Sequence, residues 1–207
     1  MRIGFDVDGC LADFSSSFIP QVVKTTGRDL FPLRPFDIPC WHYPEHYGYT
    51  RKETSAAWEA VKASTTFWRQ LSAYPETPDV MSRIIRLPKQ GHEVYFITAR
   101  VGQQVKAQTE GWLREFICCP TVLISDEKKM CARALRLDYY LDDRLENAED
   151  VASWSLSYAE DGFRPCRTFL LDRPWNTNPD VANPARYVRI HRIHSIHEML
   201  DEIRSVE

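Results

Sequence analysis

The 207-residue sequence predicts an α/β fold with a mainly parallel sheet. Three observations carry that reading. Short apolar runs alternate with segments of helical period along most of the chain. Polar residues follow the carboxyl ends of four of those runs, at the rim where open α/β sheets bind ligands. No internal repeat or linker interrupts the alternation, and the single irregular block, rich in Pro and aromatic residues, reads as an insertion.

The first strand is Ile3 to Val7, running into Asp8-Gly9, and a helix is expected from Leu11 to about Thr25, stopped near Gly27. From Asp29 to Tyr49 the chain has no clean period but many rings, among them Phe31, Phe36, Trp41 and Tyr47. A long irregular segment inside a compact domain is usually a lid or binding loop. Thr50 and Glu53 form a capping box that starts the next helix. Beyond Tyr74-Pro75, Thr77 is expected to cap a helix with Pro78 in its first turn, ended by Gly91. Strand Val94–Ile97 ends at Thr98. Val105, Thr109, Trp112, Leu113 and Phe116 then recur at helical spacing. Strand Thr121–Ile124, helix Asp126–Leu135 and strand Tyr139–Leu141 follow, the last delivering Asp142-Asp143. A helix from about Glu146 to Tyr158, strands Thr168–Leu171 and Tyr187–Ile190, and a helix opened by the capping box Ser195-x-x-Glu198 complete the order.

Composition narrows the function. The chain is 43% hydrophobic and 12% aromatic, which supports a packed core rather than disorder. Its 26 Lys and Arg against 29 Asp and Glu give a formal charge of −3, without the basic excess that long nucleic acid requires. No apolar run approaches a membrane span, and acidic residues follow the amino terminus at once, unlike a signal peptide. The six cysteines include an adjacent pair, Cys118-Cys119, and no Cys-x-x-Cys, so they read as reduced thiols of a cytoplasmic protein.

The polar strand ends carry the chemistry. Asp6 and Asp8, two apart, face one side of their strand. With Asp142 and Asp143 nearby, several carboxylates would crowd together, which like charges oppose unless a cation intervenes. Oxygen ligands and few protein groups suit Mg²⁺. The Thr98 hydroxyl, the amide at Ala99 and a lysine from Lys128-Lys129 suit a phosphoryl group.

Each piece has a plainer reading. Asp-x-Asp-Gly is a common turn, Asp142-Asp143 could cap a helix, and Phe14, Phe67 and Trp68 could simply pack the core. Their order after successive strands favours a metal–phosphate site. His191, His194 and His197 would fall on a strand, before a cap and in a first turn, and Pro44 breaks His42/His46, so no zinc site is expected. Arg186, Arg189 and Arg192 read as a solvated strand face.

The segments Asp6-Val7-Asp8-Gly9-Cys10-Leu11-Ala12-Asp13-Phe14, Phe96-Ile97-Thr98-Ala99-Arg100, Lys128 and Tyr140-Leu141-Asp142-Asp143-Arg144 resemble, in order, the four motifs of the haloacid dehalogenase superfamily. Within it, Leu11-Ala12-Asp13-Phe14, Phe67-Trp68, the Asp-Asp-Arg form of the fourth motif and Asp172-Arg173-Pro174-Trp175-Asn176 are most similar to the 5'(3')-deoxyribonucleotidases. The resemblance covers most of residues 1–180. It implies a Rossmann-like three-layer core, residues 1–14 and 76–207, with a small, mostly helical cap inserted at 15–75. It also implies Mg²⁺-dependent hydrolysis of nucleoside monophosphates, favouring deoxyribonucleotides. Asp6 would be the nucleophile and Asp8 the general acid and base; Thr98, Ala99 and Lys128 would hold phosphate. Mg²⁺ would be held by Asp6, the Asp8 carbonyl and the Asp142/Asp143 pair. Lys128 fits the usual motif spacing better than Lys129. Phe14, Phe67, Trp68 and Arg100 would contact the nucleoside or phosphate. Thr98-Ala99-Arg100 departs from the Thr-Ser-Pro-like sequence of the animal enzymes, which leaves sugar and base preference open.

The partner implied is a small nucleotide, with room for a homodimer. Alternatives are a phosphatase of another small phosphomonoester or of nucleic acid strand ends, a phospho-accepting receiver domain, and a non-catalytic binding protein. A receiver carries its acceptor Asp on a middle strand and is about half this long, so chain order disfavours it.

Overall fold

The computed structural model describes residues 1–32, 38–157, 165–177 and 190–205, with the side chains of 154–157 and 205 left aside. In chain order the elements are β1 (Arg2–Phe5), β2 (Ala12–Asp13), α1 (Phe14–Thr26), α2 (Tyr43–His46), α3 (Arg51–Ala63), β3 (Ser72–Ala73), α4 (Thr77–Ile84), β4 (Glu93–Thr98), α5 (Val105–Leu113), β5 (Val122–Ile124), α6 (Lys128–Leu135), β6 (Tyr139–Asp142), α7 (Leu145–Ser157), β7 (Arg167–Leu171), β8 (Ile190–Ile193) and α8 (Ile196–Ser205).

Six strands form one sheet in the order β5-β4-β1-β6-β7-β8, and every pairing in it is parallel. Neighbouring strand residues point to opposite faces, and the core divides accordingly. Ile97 and Tyr140 pack with Ala132 of α6 and Val151 of α7. Phe96 and Leu141 join Met81 and Ile84 of α4 and Met199 and Leu200 of α8. The sheet is therefore sandwiched between helical layers, each shielding a face that the strand sequence makes apolar. After β1 the chain builds outward through β4 and β5, then returns to β6 and builds the other way. That reversal at β1 opens a crevice at the carboxyl ends of β4, β1 and β6.

The region between β1 and α4 is built on α1 and α3, which pack against each other. Thr50 caps α3 with both bonds of the expected box: its hydroxyl accepts from the Glu53 amide, and Glu53 accepts from the Thr50 amide at 2.8 Å. Gly27 ends α1 in the left-handed conformation, φ 70°. Two expected starts move. Residues Leu11 to Asp13 are not helical: the amides of Leu11 and Ala12 both donate to the Val7 carbonyl, and β2 pairs antiparallel with β3. Asp13 then caps α1 by accepting from the Ser16 amide. Likewise Thr77 lies inside α4, whose cap is Glu76, because its hydroxyl donates to the Leu11 carbonyl at 2.7 Å. In both cases a tertiary bond overrides the local signal.

The expected helix Val105–Phe116 ends at Leu113. The described part of the last strand is Ile190–Ile193, which runs beyond the expected end at Ile190; the expected residues 187–189 lie outside the described ones. Arg186 and Arg189 lie there as well, and Arg192 ion-pairs with Asp172 at 2.5 Å. His191, His194 and His197 turn to Phe169, Asp172 and Asp79 respectively, so they share no centre. Among the described residues no helix is long and apolar enough to cross a membrane.

Candidate active site

Asp6 stands just past β1, the central strand, and its amide donates to the Leu141 carbonyl at 2.9 Å, which locks it to β6. It is nearly buried, 6% exposed. Lys128, the first residue of α6, reaches back and pairs with Asp6 Oδ1 at 2.6 Å, while also donating to the Ile97 carbonyl. Burial raises the Asp6 carboxyl to about 7, with Asp142 and Asp8 adding to the effect and Lys128 opposing it. Burial works to discharge Lys128, but Asp6 and Asp142 outweigh it and hold the ammonium above its ordinary value. Lys129 beside it is only half-buried.

Asp142 and Asp143 leave β6 in different chemical states. Asp142 is saturated by protein donors: Tyr140 Oη at 2.5 Å, the Arg144 amide at 2.8 Å and Asn147 Nδ2 at 3.1 Å. Asp143 accepts from Trp175 Nε1 on one oxygen at 2.8 Å. Its other oxygen, Oδ1, is buried with no hydrogen-bond partner among the described residues. Burial, then Asp142 and Asp6, drive the Asp143 carboxyl well above the usual carboxylate range. Ligand atoms of Asp6, Cys10 and Asp143 lie within 4.8 Å of one another.

Buried carboxylates with one lysine among them, and one carboxylate oxygen left unpaired, are the chemistry of a divalent-cation site. The residues present fit Mg²⁺, and the structure separates the pair: Asp143 has an oxygen to offer, whereas Asp142 does not. Gly9 makes this approach possible. Its φ is +82°, and a Cβ there would meet Asp143 Oδ2 at 2.2 Å. The late Arg173-Pro174-Trp175-Asn176 segment braces the same spot. Asn176 donates to the Asp143 carbonyl at 2.7 Å, and Arg173 donates to the Gly9 carbonyl at 2.6 Å.

Thr98 ends β4 fully buried, its hydroxyl donating to Asp8 Oδ2 at 2.9 Å. Ala99 follows, exposed to the cavity. Arg100 is buried; it lines the cavity and turns onto Asp8, with Nη2 to Oδ1 at 2.8 Å and Nε to Oδ2 at 2.9 Å. A sequence places a side chain at a strand end without saying which neighbour takes it.

Above these groups opens a cleft, with Asp6, Asp8, Thr98, Arg100 and Lys128 on its floor and Phe14, Trp41, Trp58 and Trp68 in its wall. Phe14, first in α1, is central: Trp58, Trp68 and Trp41 lie 5.4, 5.7 and 6.5 Å from its ring. Phe14 and Trp68 thus line the cavity. Phe67 does not line it; it stands edge-on to Phe14 at 6.2 Å. Trp41, Trp58, Arg144 and Asn147 also line the cavity and were not assigned to the site from the sequence. Trp41 lies in the aromatic block that reads as a binding loop, and Trp58 on the helix that the capping box starts. The Arg144 guanidinium lies over the Trp41 ring, 4.8 Å from its centre.

Comparison with known proteins gives the family and the fold. The family model described as "5' nucleotidase, deoxy (Pyrimidine), cytosolic type C protein" matches residues 1–187. A presumed nucleotidase of Bacillus cereus is 29% identical over 155 residues, which span 70% of this chain and 77% of that protein. One from Oceanobacillus iheyensis is 27% identical over 153 residues, with the same coverage of 70% and 77%. Among solved structures, a haloacid dehalogenase-like hydrolase from Streptococcus pneumoniae is similar with a TM-score of 0.55 at 13% identity, over 98% of this chain and 97% of that one. A haloacid dehalogenase-type hydrolase from Bacillus subtilis in a magnesium-bound form gives 0.56 at 13% identity, over 98% of both chains. At such identity these two likenesses are of fold.

Proposed function

Because the chain belongs to the cytosolic type C family of deoxy (pyrimidine) 5' nucleotidases, and is therefore a phosphomonoester hydrolase, we propose that it hydrolyses deoxyribonucleoside monophosphates with Mg²⁺ through an aspartyl-phosphate on Asp6. One observation carries the proposal: an aromatic-walled cavity whose floor holds the Asp6–Lys128 pair beside the unpaired buried oxygen of Asp143. The rings suit a nucleobase, which stacks on any aromatic face, and the floor suits a phosphoryl group.

Asp6, Asp143 and the Asp8 carbonyl are the groups assigned to hold Mg²⁺, which when bound neutralises charge on the phosphoryl oxygens. The Thr98 hydroxyl, the Ala99 amide and the Lys128 ammonium hold those oxygens. The Asp6 carboxylate forms a bond to phosphorus as the bond to the sugar oxygen breaks, and Asp8 gives that oxygen a proton. Water then attacks phosphorus while Asp8 takes the water's proton. The acyl-phosphate bond breaks, releasing inorganic phosphate and restoring Asp6.

The test is phosphate release from ribo- and deoxyribonucleoside 5'- and 3'-monophosphates, with Mg²⁺ or EDTA, for wild type and Asp6→Asn. Metal-dependent turnover of deoxynucleotides that is lost in the variant is the expected result. Turnover of an aryl phosphate or of terminal phosphates on oligonucleotides, with none on mononucleotides, would keep the chemistry and reject the substrate.

A further inference from the structure

Arg100 lines the cavity, but its guanidinium is turned chiefly onto protein groups. Its side chain is 0% exposed against 15% for Asp8. Nε and Nη2 grip both oxygens of Asp8 as a fork, at 2.9 and 2.8 Å. Nη1 donates to Thr109 Oγ1 at 3.3 Å and to the Trp68 carbonyl at 3.4 Å. The guanidinium also lies 5.2 Å from the Trp68 ring and 5.7 Å from the Trp112 ring. Four of its five N–H groups are thus engaged by protein, two of them on Asp8.

We infer that Arg100 is a positioning residue: it fixes the Asp8 carboxylate for its two proton transfers and couples it to the nucleoside end of the cavity through Trp68. The inference rests on the reading of Asp8 as general acid and base. Asp8 sits between β1 and the turn at Gly9, where no regular element orients its side chain, so the two groups that hold it are Thr98 and Arg100. The Thr98 hydroxyl is wanted by the phosphoryl group. Once it turns there, Oδ2 loses one of its two short donors and Nε of Arg100 remains. Oδ1 stays anchored on Nη2. Lysine, a point charge, cannot reproduce a two-point fork. Trp68 extends the arrangement: its ring is part of the cavity wall and its carbonyl holds Arg100, so seating a nucleoside on the wall steadies the acid.

The experiment compares wild type, Arg100→Lys and Arg100→Ala, each checked by thermal unfolding, on two substrates. One is a deoxynucleoside monophosphate, whose sugar oxygen needs a proton to leave. The other is p-nitrophenyl phosphate, whose nitrophenolate leaves without one. The expected result for Arg100→Ala is a kcat on the nucleotide lower on the order of a hundredfold, the size of a lost acid–base contribution, with KM changed only a few-fold. The first burst of nitrophenolate persists in that variant, because forming the phospho-enzyme from this substrate needs no acid. Added guanidinium restores part of the nucleotide activity of Arg100→Ala, and Arg100→Lys, which keeps the charge and the fold, remains impaired.

A raised KM with unchanged kcat would make Arg100 a substrate contact and overturn the inference. Equal loss of burst and turnover, with no rescue in a variant that melts as wild type does, would make it scaffold and also overturn it. A wild-type protein that forms no phospho-enzyme from either substrate would overturn both this inference and the mechanism it rests on. A wild-type protein that bursts on the aryl phosphate and ignores nucleotides would overturn the nucleotidase reading and the link to the nucleoside wall.

Discussion

At the residue scale the two lysines that open α6 differ in what they touch. Lys128 is buried on Asp6, while Lys129 makes no comparable contact among the described residues. Lys128→Met should lower turnover on the order of a hundredfold or more, as loss of a preorganised charge donor does. Lys129→Met should stay within about twofold, as surface substitutions generally do. The reverse pattern in a steady-state assay would reassign the third motif. The two aspartates after β6 separate in the same way. Asp143→Asn removes the unpaired oxygen, so the Mg²⁺ concentration for half-maximal activity should rise, while melting in EDTA holds or improves because a buried acid becomes a neutral amide. Asp142→Asn sets an amide N–H against the donors that now serve Asp142, at a cost of about 1–3 kcal/mol. Its melting temperature should fall by several degrees. Thermal scans with and without EDTA, beside a Mg²⁺ titration, distinguish these outcomes, and equal behaviour of the two variants would refute the division.

At the scale of elements, the nucleoside wall depends on where α1 and α3 begin. Asp13 caps α1 and thereby places Phe14 over the floor, while the Thr50–Glu53 box sets the register that turns Trp58 toward Phe14. Trp58→Leu should raise KM for nucleoside monophosphates by roughly 5- to 100-fold, the equivalent of about 1–3 kcal/mol of stacking. It should leave 2-deoxyribose 5-phosphate, which has no base, little changed. A shared loss on both substrates would mean that Trp58 only packs the helices.

The same elements show what could be read in the chain. The α3 box, the Gly27 stop and the sheet strands are local signals, carried by side chains within a few positions of one another. The convergence of Asp6, Asp8, Thr98 and Asp142-Asp143 was legible by topology instead, because strand ends in a parallel sheet share a rim. The start of α1, the cap of α4 and the partner of Arg100 were not legible. Each is decided by a residue at least four and up to 92 positions away, as in the bond of Thr77 to Leu11 or of Arg100 to Asp8. Trp41 and Trp58 reach the cavity for the same reason, through packing between α1 and α3 that no period encodes.

For the whole molecule, the site places a strain on the fold that pH and metal should reveal together. Asp6 titrates near its ordinary value of 3.8 when unfolded but at about 7 in the fold, and Asp143 is raised as well, both chiefly by burial. Below both values these acids are protonated in either state and contribute nothing to the difference. As pH rises from about 4 to 7 the unfolded chain sheds protons that the fold retains, so the metal-free protein should lose stability across that interval. Above about 7 the Asp6 penalty is complete. A divalent cation acts in the opposite sense, since it binds the ionised carboxylates and must displace their protons to do so. Its stabilisation should therefore be small near pH 5 and large near pH 8. Unfolding followed in EDTA and in Mg²⁺ at those two pH values would test both halves. Asp143→Asn should flatten the pH trend in EDTA and shrink the Mg²⁺ effect at pH 8. A metal-free protein that gained stability between pH 5 and 8, or a Mg²⁺ effect independent of pH, would show that these carboxyls are already ionised in the fold and that the cation site lies elsewhere.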